Sequence, residues 1–260
     1  MRIGNVAIVM LAVAVAGCCG DQVAANSDIR LASYNIFHCQ GKDKKIDYAR
    51  TAAALAEHRP DFVGLQEVDS MTRRSGGLDQ SKEIGKVLGM HATYAKTFPF
   101  QGGGYGIAIL SREKPLSVER IPLPGKEPRV LLLCEFKDCW FGNTHLALQT
   151  ANQLKSVEII RKVVAERSVT KPVFLVGDWN EEPASKTLSA MRGFMTILSN
   201  EKSRTHHGFK PFKLDSEYCI DYIAVDSTHA GNFAVRDAHV APDFTTSDHC
   251  PVFVTVTRKE

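Results

Sequence analysis

The chain has 260 residues, 44% of them hydrophobic and 23% charged, with a formal net charge of +3. This is the composition of an ordinary globular protein long enough for one large core, and no repeat, heptad or low-complexity tract divides it. A charge this close to neutral excludes an argument for nucleic-acid binding from bulk electrostatics, which would need a basic face.

The first segment in chain order stands apart from the fold. Arg2 is followed by NVAIVMLAVAVAG, an apolar stretch too short to span a bilayer comfortably and led by a positive charge, as export signals are. It meets Cys18 in VAGC, which resembles a bacterial lipobox. The expectation is a signal peptide over 1–17, lipidation of Cys18, a small polar tether over 18–27 and a single domain over 28–260. A plain secretory signal cut nearby is the alternative. Either way the protein is expected to be exported, and with the lipid it is membrane-anchored in the periplasm or at the cell surface. Loss of residues 1–17 removes one arginine and leaves a charge of +2. Export permits disulfides. Cys134 and Cys139 flank EFKD in an expected hairpin, where a local bridge fits, whereas Cys219 and Cys250 read at least as well as buried thiols.

IRLASYNIF (29–37) alternates like a half-buried strand, and KIDYARTAAALAEH (45–58) reads as a helix stopped before Pro60. DFVGLQE (61–67) is the next strand and LDQSKEIGKVLGM (78–90) a second helix. HATYAK, YGIAILS, LSVERI, RVLLLCEF and CWFGNTHL follow as strands separated by Gly and Pro punctuation. ANQLKSVEIIRKVVAER (151–167) is the clearest helix, with Leu154, Val157, Ile160 and Val164 on one face. KPVFLVGDWN is a buried strand with an abrupt polar end. After a short helix, CIDYIAVD, NFAVRDAHV and PVFVTVTR complete the strands. Strands are in excess and often adjacent, which predicts an α+β fold of two mostly antiparallel sheets packed together and flanked by helices.

The chemistry collects at or beside strand ends: Asn35 after the first strand, Glu67 ending VGLQE, His145 in FGNTHL, Asp178 and Asn180 in GDWN, Asp221 in CIDYI, and Asp248-His249 before the last strand. Singly, each has an ordinary explanation as a turn, a loop start or a satisfied core group. As a set they fit one reaction. The hard oxygen donors Glu67, Asn35 and Asp248 suit Mg²⁺, with Mn²⁺ as a substitute. Asp178 and Asn180 suit activation and orientation of a water, and His145 and His249 suit donation to phosphoryl oxygens, which together describe metal-assisted phosphate-ester hydrolysis. Arg73 and Arg74 in TRRSGG are candidates for a clamp on a substrate phosphate. His206-His207 lies in a polar stretch and reads as solvated, and QGGGYG, lacking the Lys-Ser/Thr of a P-loop, reads as a flexible turn. A zinc site of His38, His145 and His249 lacks the usual local spacing.

SYNIFH, RPDFVGLQEVD, GYGIAILSR, NTHL, GDWN, IDYI and SDHCPV occur in that order between about Leu31 and Val256. In this the chain resembles the endonuclease/exonuclease/phosphatase superfamily, which includes DNase I, apurinic endonucleases, inositol polyphosphate phosphatases and neutral sphingomyelinases. The resemblance implies a DNase I-like four-layer α/β/β/α sandwich and a Mg²⁺-dependent phosphoric ester hydrolase. It implies Glu67 as the principal metal ligand with Asn35 and Asp248 nearby, Asp178 as the group that positions or deprotonates the nucleophile, and Asn180 as its orienter. His249, held by Asp221, and His145 would contact the phosphate. Apurinic endonucleases carry an acid two residues after the first Asn, where this chain has Phe37, so a second metal is not implied. The expected partners are a phosphorylated small molecule, a phospholipid headgroup or a nucleic acid as substrate, and the membrane through the lipid anchor, with the chain a monomer. A secreted nuclease and a sphingomyelinase-type lipid phosphodiesterase share this core, because specificity lies in loops. The non-enzymatic rival is a surface ligand-binding lipoprotein.

Overall fold

In chain order the strands are β1 (Ile29–Asn35), β2 (Phe62–Ser70), β3 (His91–Phe100), β4 (Gly103–Ser111), β5 (Ser117–Leu123), β6 (Arg129–Glu135), β7 (Trp140–His145), β8 (Val173–Asp178), β9 (Met195–Ile197), β10 (Asp221–Asp226), β11 (Phe233–Val240) and β12 (Val252–Arg258). The helices are α1 (Tyr48–Ala56), α2 (Gln80–Leu88), α3 (Thr150–Arg167) and α4 (Lys186–Arg192). The computed structural model describes residues 28–210 and 218–259. The expected signal peptide, Cys18 and the tether lie outside the described residues. No helix among the described residues is long and apolar enough to cross a membrane.

The strands form two six-stranded sheets, ordered β11-β12-β1-β2-β4-β3 and β5-β6-β7-β8-β10-β9. Within each, one neighbouring pair is parallel, β1 with β2 and β7 with β8, and every other pair is antiparallel. A parallel pair needs a crossover, and α1 and α3 supply the two. Because both faces of each sheet are covered, central strands read as unbroken apolar runs instead of alternating ones. In β6, for example, Leu132 points between the sheets toward Phe141 and Phe174, while Leu131 and Leu133 face Val157 and Ile160 of α3. On the far side Ala52, Leu55 and Ile84 of α1 and α2 close over Tyr34, Val63 and Leu65. The result is the expected four-layer α/β/β/α sandwich.

Side-chain capping sets the helix starts. Asp47 Oδ1 accepts from Arg50 N at 2.9 Å, so α1 starts at Tyr48 and not at Lys45, and Asp79 caps α2 in the same way. In α3 the buried face is rotated from the expected one. Gln153 and Ser156 are buried and Leu154 is only half-buried, because Gln153 ties Ala147 O (2.7 Å), Asn180 O (3.3 Å) and Thr187 Oγ1 (2.9 Å) together beneath the loop that carries Asn180. Where the sheets meet below the site they are latched by polar groups. Asn143 Nδ2 donates to Leu65 O (2.9 Å) and Ala108 O (2.8 Å), and its Oδ1 accepts from Gln66 Nε2 (2.7 Å). Gly64 makes room for that latch, since a Cβ there would lie 2.3 Å from Val176 and 2.9 Å from Asn143.

The local Cys134–Cys139 bridge does not form. Cys134 sits opposite Phe141 across the β6–β7 hairpin while Cys139 lies in the bend before β7, so the hairpin register keeps the two thiols apart. Both are free and buried, as are Cys39, Cys219 and Cys250.

Candidate active site

The two parallel pairs point their C-terminal ends the same way, and the functional side chains are gathered there. In the second sheet, His145 is paired in register with Asp178, and Asp178 with Asp221. Paired residues on adjacent strands put their side chains on the same face about 5 Å apart, so three strands present an imidazole and two carboxylates in a row. Gly177 permits this close approach: a Cβ there would lie 1.9 Å from Thr144 O, and its φ of +152° is one that L side chains rarely adopt. The first sheet contributes Asn35 from the end of β1 and Glu67 from β2.

Glu67 departs from its expected place at the end of a strand. β2 runs on to Ser70, and Glu67 sits inside it at a β-bulge, where the register with β4 shifts between Leu65 and Val68. Its φ is +57°, a left-handed conformation costing on the order of 1 kcal/mol or more for a residue other than glycine. A bulge re-aims one side chain without ending the strand. Here it turns Glu67 to where Asn35 Nδ2 donates to its Oε1 at 3.2 Å and the Tyr105 hydroxyl is close enough to act on its charge. Burial raises the pKa of this carboxyl, against the lowering effect of His249, Asn35 and Tyr105.

Asp178 is the point of convergence. Its Oδ2 accepts from Asn35 Nδ2 at 3.0 Å and faces the Nε2 atoms of His145 at 3.5 Å and His249 at 3.7 Å, while its Oδ1 accepts from Asn180 N at 2.9 Å. Only 1% of the residue is exposed. Burial, reinforced by the charge of Asp221, raises its pKa from 3.8 to about 7. Asn180 itself has φ +54°, and its Nδ2 donates to Leu146 O at 3.0 Å.

His249 is backed by a carboxylate, its Nδ1 lying 2.9 Å from Asp221 Oδ2. Burial alone would lower the pKa of this imidazole, but Asp221, Asp178 and Asp248 together raise it to about 10. Asp221 is in turn located by Thr205, whose Oγ1 accepts from Ile220 N (3.0 Å) and Asp221 N (3.2 Å). Ser247 Oγ donates to Asn35 O at 2.7 Å and accepts from His249 N at 3.2 Å, which joins the final turn to the first strand. TSDHCPV is therefore part of the site and not a peripheral turn. His145 is backed differently, by Arg129, whose Nη1 lies 3.4 Å from its Nδ1. Burial, then Arg129 and His249, push its pKa well below the usual value.

The eight residues Asn35, Glu67, His145, Asp178, Asn180, Asp221, Asp248 and His249 are thus assembled at one end of the sandwich. The two arginines are not joined to them in the same way. Arg73 is exposed, and Arg74 is engaged by Asp69, with Nη2 3.0 Å from Oδ1, and lies over the Phe100 ring. His206 and His207 are not solvated as expected. His206 is half-buried with its ring 4.7 Å from that of His249 and its Nε2 3.8 Å from Asp248 Oδ2, and His207 is buried against Asp243 O. QGGGYG forms the tight β3–β4 turn, with Gln101 and Gly102 both at positive φ, and it delivers Tyr105 to Glu67. Tyr105, Arg129, Thr205 and His206 carry no sequence signal of a role, because their positions depend on pairing and turns between distant segments. A cavity of about 420 Å³ lies at the opposite end of the sandwich, floored by Phe62, Phe174 and Phe233, and includes none of the eight.

Two groups among the described residues bring ligand atoms together closely enough for a metal: His206, Asp248 and His249, and Asp178, Asp221 and His249. His38 is in neither, so the zinc set of His38, His145 and His249 does not assemble. Both groups include His249, whose Nδ1 is held by Asp221 and whose raised pKa favours the protonated ring, and a protonated ring is no ligand. Without His249 one group keeps a ring nitrogen of His206 and a carboxylate oxygen of Asp248, and the other keeps carboxylate oxygens of Asp178 and Asp221; carboxylate oxygens suit a hard divalent cation.

A buried acid flanked by imidazoles and amides, beside a possible acidic and histidine metal site, sits at one end of a four-layer sandwich. The model of the endonuclease/exonuclease/phosphatase family matches residues 32–249, and the chain belongs to that family. Its members are phosphoric ester hydrolases and generally depend on a divalent metal. Among solved structures, an endonuclease/exonuclease/phosphatase from Beutenbergia cavernae is similar with a TM-score of 0.71 at 20% identity, covering 89% of this chain and 72% of that one. A mannosyl-6-phosphatase from Bacteroides thetaiotaomicron gives 0.69 at 20% identity, covering 88% and 99%. A truncated TDP2 from Caenorhabditis elegans gives 0.64 at 18% identity, covering 88% and 97%. At these identities the likeness is one of fold. Curated protein sequences give no significant match.

Proposed function

We propose that this protein hydrolyses phosphate esters with Mg²⁺ as its cation, Mn²⁺ serving as a substitute, and that Asp178 is the base. The observation that carries this reading is the convergence on Asp178 of Asn35 Nδ2, Asn180 N and two histidine Nε2 atoms, with its pKa raised to about 7. A base poised near the working pH takes a proton from water without being permanently protonated. Asn180, its Nδ2 tied to Leu146 O, offers its Oδ1 to the same water. His145 and His249 donate to the phosphoryl oxygens as negative charge shifts onto them, with Asp221 holding the His249 ring in place. Glu67, Asp248 and Asn35 would hold the cation, which when bound polarises the phosphoryl group and offsets its charge.

The substrate is a phosphorylated small molecule or a phosphodiester. The mannosyl-6-phosphatase shows that this fold accommodates a small phosphorylated compound in another protein, which favours that class here. The N-terminal sequence supports export with a lipid on Cys18, which would present the domain as a monomer at a membrane surface.

The test is turnover by residues 26–260 on bis-p-nitrophenyl phosphate, p-nitrophenyl phosphate, plasmid DNA, sphingomyelin and an inositol phosphate, with Mg²⁺ and with EDTA. Mg²⁺-dependent turnover that is lost in Asp178→Asn supports the reading, and the best substrate identifies the class. Equal turnover by the wild type and the variant would remove Asp178 from the mechanism.

A further inference from the structure

Behind His145, on the side away from Asp178, lies a group that the reaction scheme leaves unused. Arg129, at the start of β6, is only 8% exposed. Its Nη1 lies 3.4 Å from His145 Nδ1 and its Nη2 3.0 Å from Glu127 Oε2, an acid whose side chain is 57% exposed. Its Nε is buried with no partner. An ion pair with Glu127 alone does not require an arginine to be buried against an imidazole.

A guanidinium carries N–H donors and no acceptor at all. An imidazole nitrogen hydrogen-bonded to it has to be the acceptor. His145 Nδ1 is then the bare nitrogen, and the single ring proton sits on Nε2, the atom facing Asp178 Oδ2 at 3.5 Å. We propose that Arg129 is a positioning residue that holds His145 in the neutral Nε2–H tautomer, so that this histidine acts on the substrate as a hydrogen-bond donor and not as a proton-transferring acid. The charged and titratable groups facing the ring are Arg129 from β6, Asp178 from β8 and His249 from the turn before β12. Two of the three oppose a positive charge on His145, and burial acts in the same direction. The cation behind Nδ1 also draws electron density from the ring and strengthens the Nε2–H bond as a donor. That is the property needed where charge develops on a phosphoryl oxygen.

The part of this inference that concerns catalysis rests on the proposed phosphate-ester reaction, whereas the tautomer is a property of the resting protein. The experiment separates the two. Metal-free protein labelled with ¹⁵N-histidine is observed by long-range proton–nitrogen correlation, with the His145 signals assigned by their loss in His145→Gln. The expected result is one neutral tautomer protonated at Nε2, unchanged from about pH 5 to about pH 8, the range in which free histidine titrates. A ring protonated at Nδ1, or an imidazolium in that range, would overturn the proposal. Arg129→Met is expected to release the bias and give mixed tautomers. Arg129→Lys is expected to keep it, because an ammonium is also a donor only. An unaltered tautomer in Arg129→Met would remove Arg129 from the role. On the best substrate, Arg129→Met should lower kcat by roughly 10- to 100-fold with KM little changed, and Arg129→Lys should recover part of the loss. If no substrate in the panel turns over while the spectra are as expected, the reaction assignment fails and the tautomer assignment stands.

Discussion

The corner of the site built by β6 and β7 and the corner built by β10 and the turn before β12 each present a buried histidine to Asp178, and they back it with opposite charges. His249 has Asp221 behind it and its pKa is raised to about 10, whereas His145 has Arg129 behind it and its pKa is pushed well below normal. Two side chains of the same type, at similar distances from the same carboxylate, are thereby given different charges. The difference teaches that a histidine's function is set by the atom bonded to its far nitrogen, which a list of site residues does not contain.

The most severe way to break this arrangement is to remove what both corners face. Asp178→Asn keeps the shape and loses the base, and kcat should fall by roughly 10²- to 10⁴-fold in steady-state assays. His249→Ala should cost roughly 10²- to 10³-fold, the scale for losing one preorganised donor to a developing oxyanion. Asp221→Asn leaves His249 in place but takes away its counter-charge. It should lower kcat by roughly 10- to 100-fold, and the histidine should then titrate at lower pH by NMR.

The pH dependence of stability sharpens the comparison, because only one corner should contribute a slope above neutrality. Folded His249 keeps its proton to about 10, against 6.5 for an unperturbed histidine. The stability it contributes is complete below about 6.5 and is lost as the pH rises through about 10. Asp178 acts with the same sign in a lower window: its folded carboxyl holds a proton to about 7 where the unfolded one releases it near 3.8, so stability falls as the pH rises across that interval. Thermal unfolding of metal-free His249→Gln should therefore show a flatter decline between pH 7 and pH 10 than the wild type. The smallest catalytic effect is expected below the site, at the sheet latch. Asn143→Ala leaves Leu65 O, Ala108 O and Gln66 Nε2 without that partner, at about 1–3 kcal/mol for each group left unsatisfied. Its melting temperature should drop while kcat, measured well below that temperature, stays near the wild-type value.

The sandwich was largely legible in the sequence, because apolar runs such as VFLV and YIAV signal strands buried on both faces and α3 carries a clear helical period. The functional side chains were legible as polar interruptions at the ends of those runs. What was hidden depends on pairings between distant segments. The bulge that places Glu67 in mid-strand arises from its register with β4, and the contact of Arg129 with His145 arises from two neighbouring strands. His206-His207 looked solvated because its neighbours in sequence are polar. It is covered by the turn around Asp248, about forty residues later, where His207 N and Gly208 N both donate to Asp248 O. Gln153 reads as the polar edge of a helix, and its burial makes sense only once the Asn180 loop is laid over it.

The claim on which the account depends is that Asp178 is the reacting base and that the two histidines serve it. The most direct test is the pH dependence of single-turnover hydrolysis of bis-p-nitrophenyl phosphate with Mg²⁺, comparing the wild type with Asp178→Asn after circular dichroism has shown both to be folded. The variant is expected to be slower by at least about 10²-fold at and above pH 7, with the gap narrowing toward low pH because it lacks the acidic limb present in the wild type. A folded variant that turns over within a few-fold of the wild type, with the same pH profile, would contradict it.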